Sequence, residues 1–292
     1  MESPVKDRAE STDTESKVIG TKLVEPTRRG VMLWLAYDGH EFSGMAKQAN
    51  ARTVGGELEG AIRAMDPRAS AIRQVSRTDR GVHARCQVIS FDTSKEISCR
   101  GWVLGLTGHL PASIAVIRAA AVEAGYDPRG HVLHKTYRYC LLQSRVRDPF
   151  LDHTAWRIEQ RLNQEAMFAE TNALIGTHDF AAFRGAQDQR PETCRTIYSA
   201  QWLRDLTDSR VWWFEITGNK FLYHMVRIIV GTLVDVGRGR TKPGAVKTAL
   251  SSLRREDLGM TAPSQGLYLS HVQLDEPVTE AWPQVDDYVT TA

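Results

Sequence analysis

The chain has little cysteine. Its 292 residues hold four, Cys86, Cys99, Cys140 and Cys194, spread far apart. No pair has the short spacing of a zinc site, and no histidine cluster completes one, so the sequence indicates no metal. Free thiols in a reducing compartment are the expectation. No apolar run approaches the roughly 20 residues of a membrane-spanning helix. The N-terminus lacks the apolar core of a secretory signal, and Glu2, Asp7, Glu10, Asp13 and Glu15 argue against an organelle transit peptide. The expected location is cytoplasmic, with no membrane partner. An excess of one charge is missing too: 37 Lys and Arg stand against 35 Asp and Glu, a formal net charge of +2. A basic surface must therefore come from local clustering, for which Arg77, Arg80 and Arg85, then Arg118 and Arg129, then Arg227, Arg238 and Arg240 are the candidates. Neither a phosphate loop nor a dinucleotide fingerprint occurs, and no cofactor is indicated.

What remains is an ordinary globular composition, 42% apolar and 25% charged, long enough for one large domain or two average ones. Residues 1–29 are polar, mixed in charge and poor in aromatics, and are expected to be a disordered tail. Order begins at Gly30 with the apolar run Val31 to Tyr37, closed by the turn residues Asp38-Gly39-His40. Leu58, Ala61, Ile62 and Met65 have helical spacing within 56–65. Strands follow at 71–75 and 87–92, a helix at 100–110 that stops before Pro111, and a strand at 114–120. The order β-α-β-β-α-β then recurs: a strand at 134–143, a helix at 163–175, strands at 196–203 and 211–217, a helix at 222–236 with an apolar stripe, and a strand at 266–274. The pattern predicts an α+β protein of two ferredoxin-like halves, 30–125 and 126–276, with a tail at 277–292. Their sheets would join edge to edge into one antiparallel sheet, leaving a central cleft able to hold a ligand. The split βαβ unit hosts many functions and does not choose among them.

The stretch with most chemistry is Ser76-Arg77-Thr78-Asp79-Arg80-Gly81-Val82-His83-Ala84. It sets one carboxylate between two arginines in a turn closed by glycine. Neighbouring cations favour the charged form of a carboxylate. An ionised Asp79 beside groups able to hold a polyanion suggests a nucleophile acting on nucleic acid. Taken alone, Asp79-Arg80-Gly81 is more often a surface turn whose acid pairs with an arginine.

Taken together, the motifs resemble the tRNA pseudouridine synthase A family, from about Val31 to Val272. The family's catalytic motif reads Gly-Arg-Thr-Asp-Ala-Gly-Val-His-Ala, which Ser76 to Ala84 follows at seven of nine positions. Tyr37-Asp38-Gly39 with Phe42 and Gly44 is similar to its first strand and turn. Asp127-Pro128-Arg129 and Lys135 to Tyr139 resemble its central strand. Asp179-Phe180-Ala181-Ala182-Phe183-Arg184, Gly218 to Arg227 with Gly231 and Val236-Gly237, and Ala262 to Leu269 resemble three later elements. Four departures stand out: Ser76 for glycine, Arg80 for alanine, Met45 for a tryptophan, and Gly108-His109 where Asn-Ala is usual.

The resemblance implies isomerisation of uridine to pseudouridine in RNA, without a cofactor. The bond from N1 breaks, the uracil turns, and C5 is joined to the ribose. Asp79 would be the catalytic carboxylate, attacking C1′, adding to C6 or removing the 2′ proton. Arg227 would pair with Asp79 and aim it; flanked by Met225-Val226 and Ile228-Ile229, it is expected to be buried, where an arginine needs an acidic partner. Tyr137 would stack on the extruded uracil or help remove the C5 proton. Arg77, Arg80 and Arg129 are candidates to hold the backbone or fill the space a flipped base leaves. His83 would do likewise, or satisfy a turn carbonyl. The family acts at nucleotides 38, 39 and 40 of the tRNA anticodon stem-loop, as homodimers. Three other readings stay open. One is a pseudouridine synthase with another RNA target. A second is a non-catalytic RNA-binding protein using Tyr137, Tyr139 and Trp212-Trp213-Phe214 on a sheet face. The third is a hydrolase, for which no spacing supplies a second acid or a metal.

Overall fold

The computed structural model describes Met1 and residues 28–275, 278 and 280–283. The expectations for 2–27 and for most of the C-terminal tail lie outside the described residues. The elements are β1 (Arg29–Tyr37), α1 (Val54–Met65), β2 (Arg73–Gln74), β3 (His83–Thr93), α2 (Cys99–Thr107), β4 (Ile114–Val122), β5 (Val132–Gln143), β6 (Trp156–Ile158), α3 (Gln164–Asn172), β7 (Gly176–Asp179), β8 (Cys194–Arg204), β9 (Val211–Gly218), α4 (Met225–Gly237), α5 (Ala245–Ser252), β10 (Leu267–Leu274) and β11 (Glu280–Trp282). Helix starts follow local chemistry. Thr53, Ser98 and Asn163 each accept a hydrogen bond from a backbone N–H in the first turn of α1, α2 and α3.

One mixed sheet organises the fold, running β11-β4-β1-β3-β10-β5-β9-β8-β7, with β2 on β3 and β6 on β5. Within 29–122 the first strand is flanked by the last and by β3. Within 132–274, β5 is likewise flanked by β10 and β9. Neighbours are antiparallel with two exceptions. The seam between the halves, Tyr268 and Leu269 on His83 and Ala84, is parallel, as is β6 on β5. The expectation of an antiparallel joint is corrected here. The seam is two residues long and lies at the start of β3, directly after the turn that carries Asp79.

There are three further differences. The strand expected at 71–75 shrinks to Arg73–Gln74, paired with Ser90 and Ile89 of β3. The short strands β6 and β7 and helix α5 carry too few residues for a periodic signal. Within the stretch read as a tail, Glu280–Trp282 pairs with the outer edge of β4, so 277–292 is not all tail. The apolar stripe expected on α4 is exceeded, for Met225, Ile229, Val230, Leu233 and Val234 are all fully buried. One apolar cluster runs unbroken from β1 and β3 through β5 and β10 to α4. All four cysteines are unpaired.

Candidate active site

Asp79 sits in the turn between β2 and β3, and that turn is pinned from both sides. Thr78 is buried and its hydroxyl meets the Tyr37 hydroxyl at 2.7 Å. Met45 donates its backbone N–H to Thr78 O (3.1 Å), and Gly81 donates to Phe42 O (3.2 Å). The side chain of Gln87, fully buried, accepts from Ser76 N and donates to Ser76 O at 3.2 and 2.7 Å. Gly44 at φ 95° lies so close that a Cβ there would fall 2.5 Å from Thr78 O. These backbone constraints aim one side chain, that of Asp79.

Its partner comes from the other half of the chain. Arg227, in the first turn of α4, donates from Nη1 to Asp79 Oδ2 at 3.2 Å. Its Nε donates to Ala262 O at 2.8 Å, while Ala262 N returns a bond to Arg227 O. Arg227 and Asp79 are 16% and 17% exposed at the side chain, enough to enclose the pair and still leave it reachable. His224, just before α4, places Nε2 3.2 Å from the same Oδ2. Thr78, Val82, Tyr137, Phe221, Leu222, Tyr223 and Met225 complete a small cavity of about 60 Å³ around the carboxylate.

Tyr137 on β5 lies against Phe221 edge to face, with ring centroids 4.9 Å apart. Burial pushes its phenol up to about 12, so the ring presents a neutral hydroxyl across the ordinary pH range. Beyond Tyr137 the cavity opens into a cleft of about 830 Å³ lined by Lys47, Arg73, Arg77, Arg129, Lys135 and Arg190 among others. Lys135 donates to Ser76 Oγ at 3.3 Å. Burial, with Arg190, Lys220 and Arg195 nearby, pulls its ammonium down to about 8. Asp188 is held well below the usual carboxylate range by Arg190, and accepts from Tyr223 N at 2.9 Å. On the other side of Asp79, a second cavity of about 670 Å³ is lined by His40, Arg80, His153, His224 and Gln265.

The structure thus gathers most of the expected site residues. Asp79 and Tyr137 share one cavity, and Arg227 lines the second cavity, which also reaches Asp79. Arg77, exposed, borders both the small cavity and the large cleft. Arg129 lines the cleft while its guanidinium grips Asp127 at 2.6 Å. Arg80 is exposed beside Asp79. His83 is the exception. It is 2% exposed, accepts from Gly39 N at Nδ1, and holds Nε2 3.1 and 3.0 Å from the carbonyls of His153 and Gln265. Burial lowers its affinity for a second proton, and the ring stacks on Tyr268. It fastens three segments and is not available to a substrate backbone. Met45, in place of a tryptophan, is fully buried, so that departure concerns the core. Sequence reasoning missed His224, Lys135 and the Asp188–Arg190 pair. The first had one usable signal, its position three residues before Arg227 at a helix start.

Of the aromatics named for a non-catalytic sheet binder, Tyr139 and Phe214 are fully buried and Tyr137 is buried, while Trp212 and Trp213 are half-buried, Trp213 packing edge-on against Tyr268. No helix among the described residues is long and apolar enough to cross a membrane.

Comparison with known proteins gives the same direction. A family model described as tRNA pseudouridine synthase matches residues 171–275. The chain is 41% identical over 243 residues to a tRNA pseudouridine synthase A of Bacillus subtilis (strain 168), covering 82% of this chain and 97% of the relative. A protein of the same name from Geobacter sp. (strain M21) is 39% identical over 249 residues, covering 85% and 100%. One from Thermoanaerobacter sp. (strain X514) is 40% identical, covering 82% and 98%. With near-complete relatives at this identity and the turn-and-helix motifs folded around one carboxylate, this chain belongs to the tRNA pseudouridine synthase A family.

Proposed function

We propose that this protein isomerises uridine to pseudouridine in tRNA, with Asp79 as the catalytic carboxylate. The observation that carries the reading is the convergence on Asp79. A carboxylate on one half of the chain meets a guanidinium from the other half, at the inner end of a basic cleft. Family membership supplies the reaction class, an isomerisation, and the relatives' names supply the substrate.

The division of labour follows from the geometry. The Arg227 fork is fixed by Ala262 O, so its hydrogen bond aims the Asp79 carboxylate. A base within a helical stem must leave the stack to reach Asp79, at a cost of a few kcal/mol. The Tyr137 and Phe221 rings supply an apolar wall for an extruded uracil, and stacking of this kind contributes about 1–3 kcal/mol. Arg77, Arg80 and Arg129 then hold backbone phosphates or take the vacated space, which gives salt-sensitive binding with little base reading. We read the two halves as ferredoxin-like units, and the target as nucleotides 38, 39 and 40 of the anticodon stem-loop. The protein would act as a cytoplasmic homodimer. A second reading, a pseudouridine synthase with another RNA target, is favoured by one observation: the exposed Arg80 beside the carboxylate, where the family motif has alanine.

Mapping decides between them. Unmodified tRNA transcripts are incubated with the protein, and pseudouridine is located by carbodiimide labelling and primer extension. Stops confined to 38–40 are expected. Stops only at other positions favour the second reading, and binding without any stop contradicts both.

A further inference from the structure

His224 has an unusual backbone. Among the described residues, only His224 and Leu253 combine a side chain with positive φ, 61° and 60°. Leu253 closes α5, where a left-handed residue is a common terminator. His224 opens α4, where an extended residue with a capping side chain is the rule, and it makes no cap hydrogen bond. A left-handed conformation in a bulky residue costs free energy and persists where the surroundings impose it, most often at functional sites. Helix capping does not account for it.

Its side chain does. The turn of the backbone carries the imidazole back to Asp79, with Nε2 3.2 Å from Oδ2, the oxygen that also takes Arg227 Nη1. The ring is held on its other side. Tyr223 stacks on it at 3.8 Å and 24°. Gly185 lies against both rings: a Cβ there would fall 2.7 Å from Tyr223 Cδ1 and 3.1 Å from His224 Nδ1. Gly185 N donates to Tyr223 O, and Asp188 takes the Tyr223 N–H, so the loop carrying both residues braces the pair.

We propose that His224 is a positioning residue for Asp79: its Nε2 lies against Oδ2 alongside Arg227 Nη1, fixes the carboxylate rotamer, and leaves Oδ1 as the oxygen that meets the substrate. The inference rests on Asp79 being the catalytic carboxylate. A guanidinium and an imidazole both packed against one oxygen restrict the carboxylate more than either does by itself.

The test compares His224→Ala with His224→Gln. Both keep a Cβ at the left-handed position, so backbone strain is common to them, and their thermal midpoints should agree within about 2 °C. The glutamine amide can reach Oδ2 and alanine cannot. With tRNA as substrate, His224→Ala should lower kcat about tenfold with KM within about twofold of wild type, and His224→Gln should recover most of kcat. Crystal structures of the two variants give a readout independent of any substrate. Asp79 should keep its wild-type rotamer with glutamine and turn with alanine. An unmoved carboxylate in His224→Ala, or equal kcat in the two variants, overturns the proposal. A wild type inactive on tRNA whose Asp79 still turns in His224→Ala would overturn the functional reading and leave the positioning role standing.

Discussion

At the residue scale the site is a carboxylate with a fixed environment, and its parts should fail differently. Asp79→Asn keeps the shape of the turn and removes the nucleophile or base. Activity should fall by about 10³-fold or more while tRNA affinity stays within about threefold, checked by kinetics beside filter binding. Arg227→Lys keeps the charge but cannot donate to Asp79 and Ala262 O together, so kcat should drop about tenfold or more without matching loss of affinity. Tyr137→Ala removes the apolar wall and should weaken the reaction by about 5- to 150-fold, the range that stacking of one base supplies. The sequence made Asp79 conspicuous through the whole stretch Ser76 to Ala84 and the motifs beyond it, since Asp79-Arg80-Gly81 alone is ordinary turn chemistry. It did not expose His224. A contact between residues 145 positions apart leaves no local pattern, and the left-handed backbone that creates it is a property of the packed chain.

At the element scale, α4 does two jobs: it fills the core of the second half and delivers Arg227 to the seam. Delivery depends on how closely the chain at 259–262 lies along the helix. Gly259 N donates to Thr232 Oγ1, Met260 N to Asp235 Oδ2, and Ala262 brackets Arg227. Gly231 permits this approach, since a Cβ there would fall 1.9 Å from Met260 O. Gly231→Ala should therefore cost about 3 kcal/mol of stability, read as a lowered midpoint in chemical denaturation. It should also reduce activity by loosening Arg227. An unchanged midpoint would mean the segment can move aside at no cost. Long periodic elements of this kind were legible in the sequence: β1, α4 and β10 fall close to the expected places because apolar spacing marks them, whereas β3 begins at His83, four residues before the strand expected at 87–92. The two-residue β2, the three-residue β6 and β11 and the polar β7 were not, as so short a strand is defined by its neighbour rather than by its own residues. The parallel seam was equally hidden, because no periodicity records which edges of two sheets meet.

At the scale of the whole molecule, a net charge of +2 conceals a cleft in which six basic side chains outnumber the two acidic ones, Glu59 and Asp188. Lys135 gives that cleft a pH dependence. Burial among other cations draws its ammonium down to about 8, below the ordinary lysine range, so it loses its proton as pH rises through 8 while a free lysine would not. The protonated form is the one that attracts a polyanion. Affinity for tRNA should therefore decline between about pH 7 and 9, and Lys135→Arg should flatten that decline, in fluorescence titrations at fixed salt. A decline that persists in Lys135→Arg would assign it to another group.

The central claim is that Asp79 drives an isomerisation of uridine in tRNA. The most direct measurement uses an unmodified tRNA transcript carrying tritium at uridine C5, where the new bond to ribose displaces the label. Wild-type protein should release tritium to water, and Asp79→Asn, though still bound to the tRNA, should release none above background. Release by Asp79→Asn at the wild-type rate would contradict the account.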